Sequence, residues 1–241
     1  LQLALHRDED LDHLHHARGQ VVALADLFHL VGEAGLQRAF LRLELLVQRL
    51  DLARGVLERS PHVLLADPPP ELLEEWGVEP AAEGWFVTDF RVQQLRALQA
   101  ASASGPAHGT VGAVARDQQG RVAAGTATGG VANKTNGRIG DSPIIGAGTY
   151  ARDGVVAVSC TGEGEAFLAG VVAHDVYARM AYATDSLTAA AAATLAAELG
   201  PAGAMGALIG VGGADGQMVV ALHSDTLLAA WRDGDEIITH I

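Results

Sequence analysis

Across 241 residues the chain carries 29 acidic and 16 basic side chains, a formal net charge of −13, which argues against a nucleic-acid partner because phosphate binding needs a basic face. Apolar residues at 49% and charged residues at 19% give the balance of a chain that buries a core, with length enough for one sizeable domain. The single cysteine, Cys160, excludes an intramolecular disulfide and fits a reducing compartment, and no apolar run approaches the ~18 to 20 residues needed to span a bilayer.

The opening residues reach Arg7, Asp8, Glu9 and Asp10 too soon for a secretory signal, and the missing initiator methionine suggests a trimmed or incomplete chain. A soluble, cytoplasmic protein with no membrane partner is expected. Residues 1–50 are rich in Leu, His and Arg, and apolar spacing in Val21–Leu30 and Leu36–Leu50 predicts helices there. Further helices are predicted over Leu52–Glu58, over Glu71–Trp76 behind the break at Pro68-Pro69-Pro70, and over Asp89–Ala101. Residues 101–109, with ASASGPA over Ala101–Ala107, read as a small-residue linker with little to pack.

After the linker the texture changes. Thr110–Ala115 and Arg121–Thr126 are β-rich runs joined by Asp117-Gln-Gln-Gly120, a hairpin signature. Val155–Thr161 reads as a buried strand and Glu165–Tyr182 as a helix. Ser186–Leu199 reads as a second helix, capped by Asp185 or Ser186 and stopped by Gly200-Pro201. Ala207–Val211 and Met218–His223 form a second hairpin around Ala214-Asp215-Gly216. Strands, then two helices, then strands predict layered α/β packing, not an alternating βαβ parallel sheet.

Three blocks carry residue types suited to chemistry. In His108-Gly109-Thr110-Val111-Gly112, Thr110 is either an ordinary strand start or the site of a self-cleavage. In the second case Gly109 lets the backbone strain so that the hydroxyl attacks the preceding carbonyl. The freed α-amine, with a pKa near ~8, then acts as base for its own hydroxyl. Downstream, Thr126-Ala-Thr128-Gly129-Gly130 leads to Gly137-Arg138-Ile139-Gly140-Asp141. Arg138 and Asp141 have the types that hold a zwitterionic amino acid, arginine clamping a carboxylate and aspartate an ammonium; a surface salt bridge explains them equally. Ser159-Cys160-Thr161-Gly162-Glu163-Gly164 is a plain strand-to-helix turn or a place to stabilise an oxyanion. Cys160, with no histidine near it in sequence, reads as a buried structural thiol.

Together HGTVGAVARD, TATGG, GRIGDSPIIGAGTYA, VSCTGEGEAF and VVAHDVYARM, in this order and spacing, resemble the plant-type asparaginases, the isoaspartyl peptidase/asparaginase branch of the N-terminal-nucleophile hydrolases. The resemblance covers residues 108–241, and ARGVLERSPHVLLA and EGWFVTDFR extend it backward. It implies a four-layer αββα sandwich. It also implies a cut before Thr110 that gives an α chain of 1–109 and a β chain of 110–241, assembled as (αβ)₂. By the same resemblance Thr110 is the nucleophile and Thr128 the hydroxyl bonded to it. Thr161 and Gly162 form the oxyanion hole, Arg138 binds the substrate α-carboxylate, and Asp141 with the Gly164 carbonyl anchors the α-ammonium. The substrate is then L-asparagine or a β-aspartyl (isoaspartyl) dipeptide. No cofactor is expected, although a sodium ion supports the site in several members.

Residues 1–50 depart from that pattern. The glycine-rich opening strand and the Asn-Ala-Gly-Arg-Gly type loop that supports the nucleophile, and binds the sodium, are not found. The segment is therefore expected to be foreign to the family, from a misread frame or altered start, leaving the sheet short of strands. His13, His15 and His16 read as a solvated cluster, with no metal site. Two alternatives follow. One is a glycosylasparaginase-type amidase, less favoured because its nucleophile follows aspartate where this chain has Gly109. The other is a catalytically inactive binding or scaffold protein lacking the support loop.

Overall fold

A computed structural model describes residues 2–7, 20–23, 52–66, 68–79, 84, 87–101, 109–224, 227–233 and 236–240. The chain divides into two compact units. One comprises Leu1–Leu30, Thr110–Thr128 and Gly140–Ile241; the other comprises Val31–Gly109 and Gly129–Ile139.

The first unit contains, in chain order, β1 (Gln2–Arg7), β2 (Gln20–Ala23), β3 (Thr110–Arg116), β4 (Val122–Thr128), β5 (Thr149–Arg152) and β6 (Val156–Gly162). Helices α4 (Gly164–Gly170), α5 (Val172–Tyr182) and α6 (Leu187–Glu198) follow, then β7 (Gly206–Gly212), β8 (Met218–His223), β9 (Ala229–Asp233) and β10 (Glu236–His240). A six-stranded sheet has the order β1-β4-β3-β2-β9-β10, and a four-stranded sheet the order β5-β6-β7-β8. Every strand pair among the described residues is antiparallel, in keeping with the expected layered packing and not with a parallel βαβ sheet.

The sheets lie face to face. Val114 and Ala124 of the larger sheet and Ala157, Ile209 and Val211 of the smaller one share a buried cluster. On the far side of the smaller sheet, Val156, Val158 and Cys160 pack with Phe167 of α4, Val176 of α5 and Leu195 of α6. Sheet, sheet and helices give three of the expected αββα layers. Among the described residues of this unit, no helix layer covers the outer face of the six-stranded sheet.

The predicted hairpin at Asp117–Gly120 forms because Asp117 organises it. Its Oδ1 accepts the Gln119 and Arg121 N–H groups at 2.9 Å each, its Oδ2 accepts Arg121 Nε at 2.5 Å, and Gly120 supplies φ 81°. Burial pushes the Asp117 carboxyl up, but the Arg121 side chain and these two N–H groups outweigh it and hold the group below the ordinary carboxylate range. A depressed folded value stabilises the fold above the unfolded pKa of about 3.9, and that stabilisation is lost as pH falls through the lower folded value. Asp117→Asn is therefore expected to cost about 1–2 kcal/mol near neutrality, with the gap to wild type closing in acid; thermal melts across that range check it.

Three expectations are corrected. Gln20–Ala23 is a strand, so the helix predicted over Val21–Leu30 does not begin as one. Val21 and Val22 pair with Ala115 and Val114 of β3, and that ladder overrides the apolar spacing. The sheet expected to lack N-terminal strands has two, since β1 pairs with β4 and β2 with β3. The helix predicted over Glu165–Tyr182 is two helices broken at Val171, which has φ 48°. There the Ala173 and His174 N–H groups donate to the Ala147 and Gly146 carbonyls at 3.2 and 2.8 Å, so tertiary hydrogen bonds replace the missing helical ones. Residues 24–30, 36–50 and 102–108, and the histidines at 13, 15 and 16, lie outside the described residues.

The second unit holds α1 over residues 52–59, α2 (Pro70–Glu75) and α3 (Asp89–Ala100). Gly55 of α1 makes room for Trp76, whose indole ring would collide with an added Cβ, and Arg59 donates to the Trp76 carbonyl at 3.2 Å. Thr88 caps α3, accepting the Arg91 N–H at 3.3 Å.

Candidate active site

Strand alternation fixes which side chains enter the space between the sheets. Because Val114, Val122, Ala124 and Ala157 point into it, the two-residue period directs Thr110 and Gly112 on β3, Thr126 and Thr128 on β4, and Ser159 and Thr161 on β6 the same way. The interlayer therefore grades from an apolar cluster into a row of hydroxyls.

In the middle lies a buried hydroxyl belt. Thr149 Oγ1 donates to Thr126 Oγ1 at 2.5 Å, Thr126 Oγ1 and Ser159 Oγ are 2.6 Å apart, and Thr126 Oγ1 reaches the Gly148 carbonyl at 3.3 Å. All three side chains are buried, so the mutual bonding offsets their desolvation. Gly112 lets β3 approach this belt: a Cβ there would fall on the Ser159 side chain, 3.0 Å from its Cβ. The belt has no signature in the sequence, because Thr149 and Ser159 are 23 and 33 residues from Thr126 and no local motif links them.

At the end of the interlayer Thr110 opens β3 and pairs with Thr128, the last residue of β4. Both are half-buried, and Thr110 Oγ1 donates to Thr128 Oγ1 at 3.3 Å. Gly109, immediately before Thr110, has φ 114°, a region open to glycine and strained for other residues. On the facing sheet, Thr161 turns its side chain toward the same space. The Cys160 N–H donates to the Gly148 carbonyl at 2.9 Å. The Gly162 N–H, two residues further, therefore points to the same side of β6, beyond the last β5–β6 pair at Thr149↔Ser159. A hydroxyl and a main-chain donor thus border the end of the interlayer that holds Thr110.

Cys160 faces the other way, into the helix-side core. Burial, and secondarily the charge of Asp141, push its thiol well above the ordinary range, making it a poor nucleophile. Asp141 is itself buried, and Gly148 packs so closely on it that an added Cβ would lie 2.6 Å from the Asp141 carbonyl oxygen. Gly164 is buried as the first residue of α4. Of the residues singled out in sequence, the first unit brings together Thr110 and Thr128, sets Thr161 and Gly162 on the facing strand, and holds Asp141 and Gly164. Arg138 and Gly109 belong to the second unit, where the Arg138 N–H closes a turn on the Thr135 carbonyl at 3.1 Å. Among the described residues no group of three or more His, Cys, Asp or Glu side chains could hold a metal ion, and no helix is long and apolar enough to cross a membrane.

Two antiparallel sheets backed by helices, with a threonine opening a central strand directly behind a glycine, define the architecture of an N-terminal-nucleophile hydrolase. The chain belongs to the asparaginase family within that class, whose profile matches residues 37–241; family likeness thus begins upstream of residue 50. It is 41% identical over 191 residues to the isoaspartyl peptidase of Salmonella typhimurium, covering 74% of this chain and 61% of the relative. It is 38% identical over 191 residues to the isoaspartyl peptidase of Escherichia coli, covering 74% and 59%. The probable isoaspartyl peptidase/L-asparaginase 2 of Arabidopsis thaliana is 40% identical over 163 residues, covering 55% and 50%. The chain thus spans about 60% of the length of the two bacterial relatives.

Proposed function

We propose that this chain cuts itself between Gly109 and Thr110 and then hydrolyses L-asparagine and β-aspartyl dipeptides through an acyl-enzyme on Thr110. The observation that carries this reading is the Thr110–Thr128 hydroxyl contact at a strand start that follows a positive-φ glycine. In the cut, the Thr110 hydroxyl attacks the Gly109 carbonyl and the Gly109–Thr110 C–N bond breaks as nitrogen takes up the proton, which frees the Thr110 amine and leaves an ester; water then hydrolyses that ester to the Gly109 carboxylate and restores the Thr110 hydroxyl. With a pKa near ~8, part of that amine is unprotonated at neutral pH and accepts the hydroxyl proton. Thr110 Oγ1 then attacks the side-chain carbonyl carbon of the substrate. Charge collects on the carbonyl oxygen, where Thr161 and Gly162 are assigned as donors. Ammonia, or the amine of the following amino acid, leaves with a proton, and water hydrolyses the β-aspartyl ester to regenerate Thr110.

The substrate assignment follows the relatives, which are named as isoaspartyl peptidases and an asparaginase. Asp141 is assigned the substrate ammonium, with the Gly164 carbonyl, and Arg138 its carboxylate, both on the sequence resemblance. The cut chains are assigned to an (αβ)₂ assembly on the same ground, in the reducing compartment that the lone buried thiol suits.

Incubating the purified chain at neutral pH, running a denaturing gel and assaying ammonia from asparagine and free amino acid from a β-aspartyl dipeptide tests the reading. Fragments 1–109 and 110–241 with turnover of either substrate are expected. A chain that stays at 24.9 kDa and releases neither product overturns the reading in favour of an inactive scaffold.

A further inference from the structure

We infer that Glu163 is a positioning residue for the oxyanion-binding turn, an inference that rests on the acyl-transfer reading above. The antiparallel register places Gly162 opposite Gly206, so the next rung of the ladder would join Glu163 to Met205. Half of that rung is ordinary: the Glu163 N–H donates to the Met205 carbonyl at 3.0 Å. The other half is replaced. The Met205 N–H donates to the Glu163 side chain, with Oε1 at 2.9 Å, where a regular ladder would use the Glu163 main-chain carbonyl. That carbonyl accepts the Ala166 N–H at 2.9 Å instead, in the first turn of α4. The carboxylate completes the ladder in place of its own peptide and lets the chain leave the sheet one residue after Gly162.

The carboxylate serves the turn and not the helix. Glu163 occupies the N-cap position of α4, yet its side chain makes no capping bond to that helix. Its anchor, Met205, presses directly on Gly162. A Cβ added to Gly162 would lie 2.5 Å from the Met205 carbonyl oxygen, 2.6 Å from Gly206 Cα and 2.7 Å from Phe167 Cε2, and Gly162 has φ 150°. Gly206 is packed just as closely, with Phe167 Cζ 2.5 Å and the Thr161 carbonyl oxygen 2.9 Å from its own Cβ position. Backbone meets backbone here, with the Phe167 ring pressed on both glycines, so a bond that fixes Met205 against Glu163 also holds Gly162. Donors assigned to a developing oxyanion are effective only when they are held in place before the charge forms. A residue that holds them acts on kcat and leaves ground-state binding alone.

What the clamp needs is an acceptor oxygen at the right reach. A charge is not required, because an amide oxygen also accepts an N–H. Wild type, E163Q, E163D and E163A are compared for asparagine hydrolysis per processed chain, with thermal midpoints measured alongside. E163A, and E163D with one methylene too few, are expected to lose about 10- to 100-fold in kcat with KM little changed, the scale of a small misplacement of catalytic groups. E163Q is expected to restore most of that loss despite lacking the charge. If E163A does not fold, the contrast between E163Q and E163D carries the test. A folded E163A with wild-type kcat overturns the assignment, and so does an E163Q as slow as E163D, which would show that an acceptor oxygen at the right reach is not enough. A wild-type chain that neither cuts itself nor turns over overturns the acyl-transfer reading and this one with it; an active wild type matched by all three variants overturns only the role of Glu163.

Discussion

Thr110→Ala is expected to leave the chain as a single 24.9 kDa band on a denaturing gel and to abolish ammonia release from asparagine. The alanine has no oxygen to attack the Gly109 carbonyl, so no new N-terminus forms, and none to attack a substrate. The expected fall in turnover exceeds about 10⁴-fold, the scale on which hydrolases lose rate when the nucleophile is removed. Folding is expected to survive. Thr110 is half-buried at the end of its strand, and its hydroxyl makes one 3.3 Å contact with Thr128, worth about 1 kcal/mol at most. Thr110→Ser keeps an oxygen in place and is expected to retain both activities in part. A T110A chain that still yields fragments 1–109 and 110–241 would place the self-cleavage elsewhere.

The second large effect is expected at Thr161. Its side chain enters the interlayer from β6, on the sheet facing Thr110. In the acyl-transfer reading its hydroxyl meets charge that exists only while the tetrahedral intermediate forms. Thr161→Ala is therefore expected to lower kcat by about 10²- to 10³-fold, or ~2.7–4 kcal/mol of barrier, with little change in KM. Steady-state kinetics with asparagine separates the two constants. A large rise in KM at unchanged kcat would make Thr161 a substrate-binding residue instead. The fold should tolerate the change, since Thr161 is only half-buried, unlike Ser159 in the belt behind it.

Features encoded within a few residues are legible in the sequence itself. Asp117 and Gly120 announce the β3–β4 hairpin because an aspartate that accepts N–H groups two and four residues ahead makes the turn by itself. Ser186 announces α6 for a similar reason, accepting the Ala189 N–H at 3.3 Å. The motif blocks around Thr110, Thr128, Thr161 and Gly162 are equally plain, and folding sets them on the two facing sheets. What escapes such reading depends on distant partners. Val21 and Val22 fit a helical spacing until β3 offers them a ladder. Val171 breaks a continuous helical pattern because carbonyls at Gly146 and Ala147 claim the following N–H groups. The hydroxyl belt, and the bond from Met205 to Glu163, 42 residues apart in sequence, exist only once strands from separate parts of the chain are adjacent.

β1 and β2 lie upstream of Thr110, yet they are hydrogen-bonded to β4 and β3, which lie downstream. Cutting the Gly109–Thr110 bond leaves that ladder intact and changes only the molecularity of folding. An uncut chain refolds by itself; a cut one must find its other piece. The melting midpoint of the cut protein should then rise more steeply with protein concentration than that of uncut T110A. Dilution after unfolding should be reversible for the uncut chain alone. The proposed cleavage before Thr110 would thereby also write a history into the molecule, which could fold unaided once, before the cut.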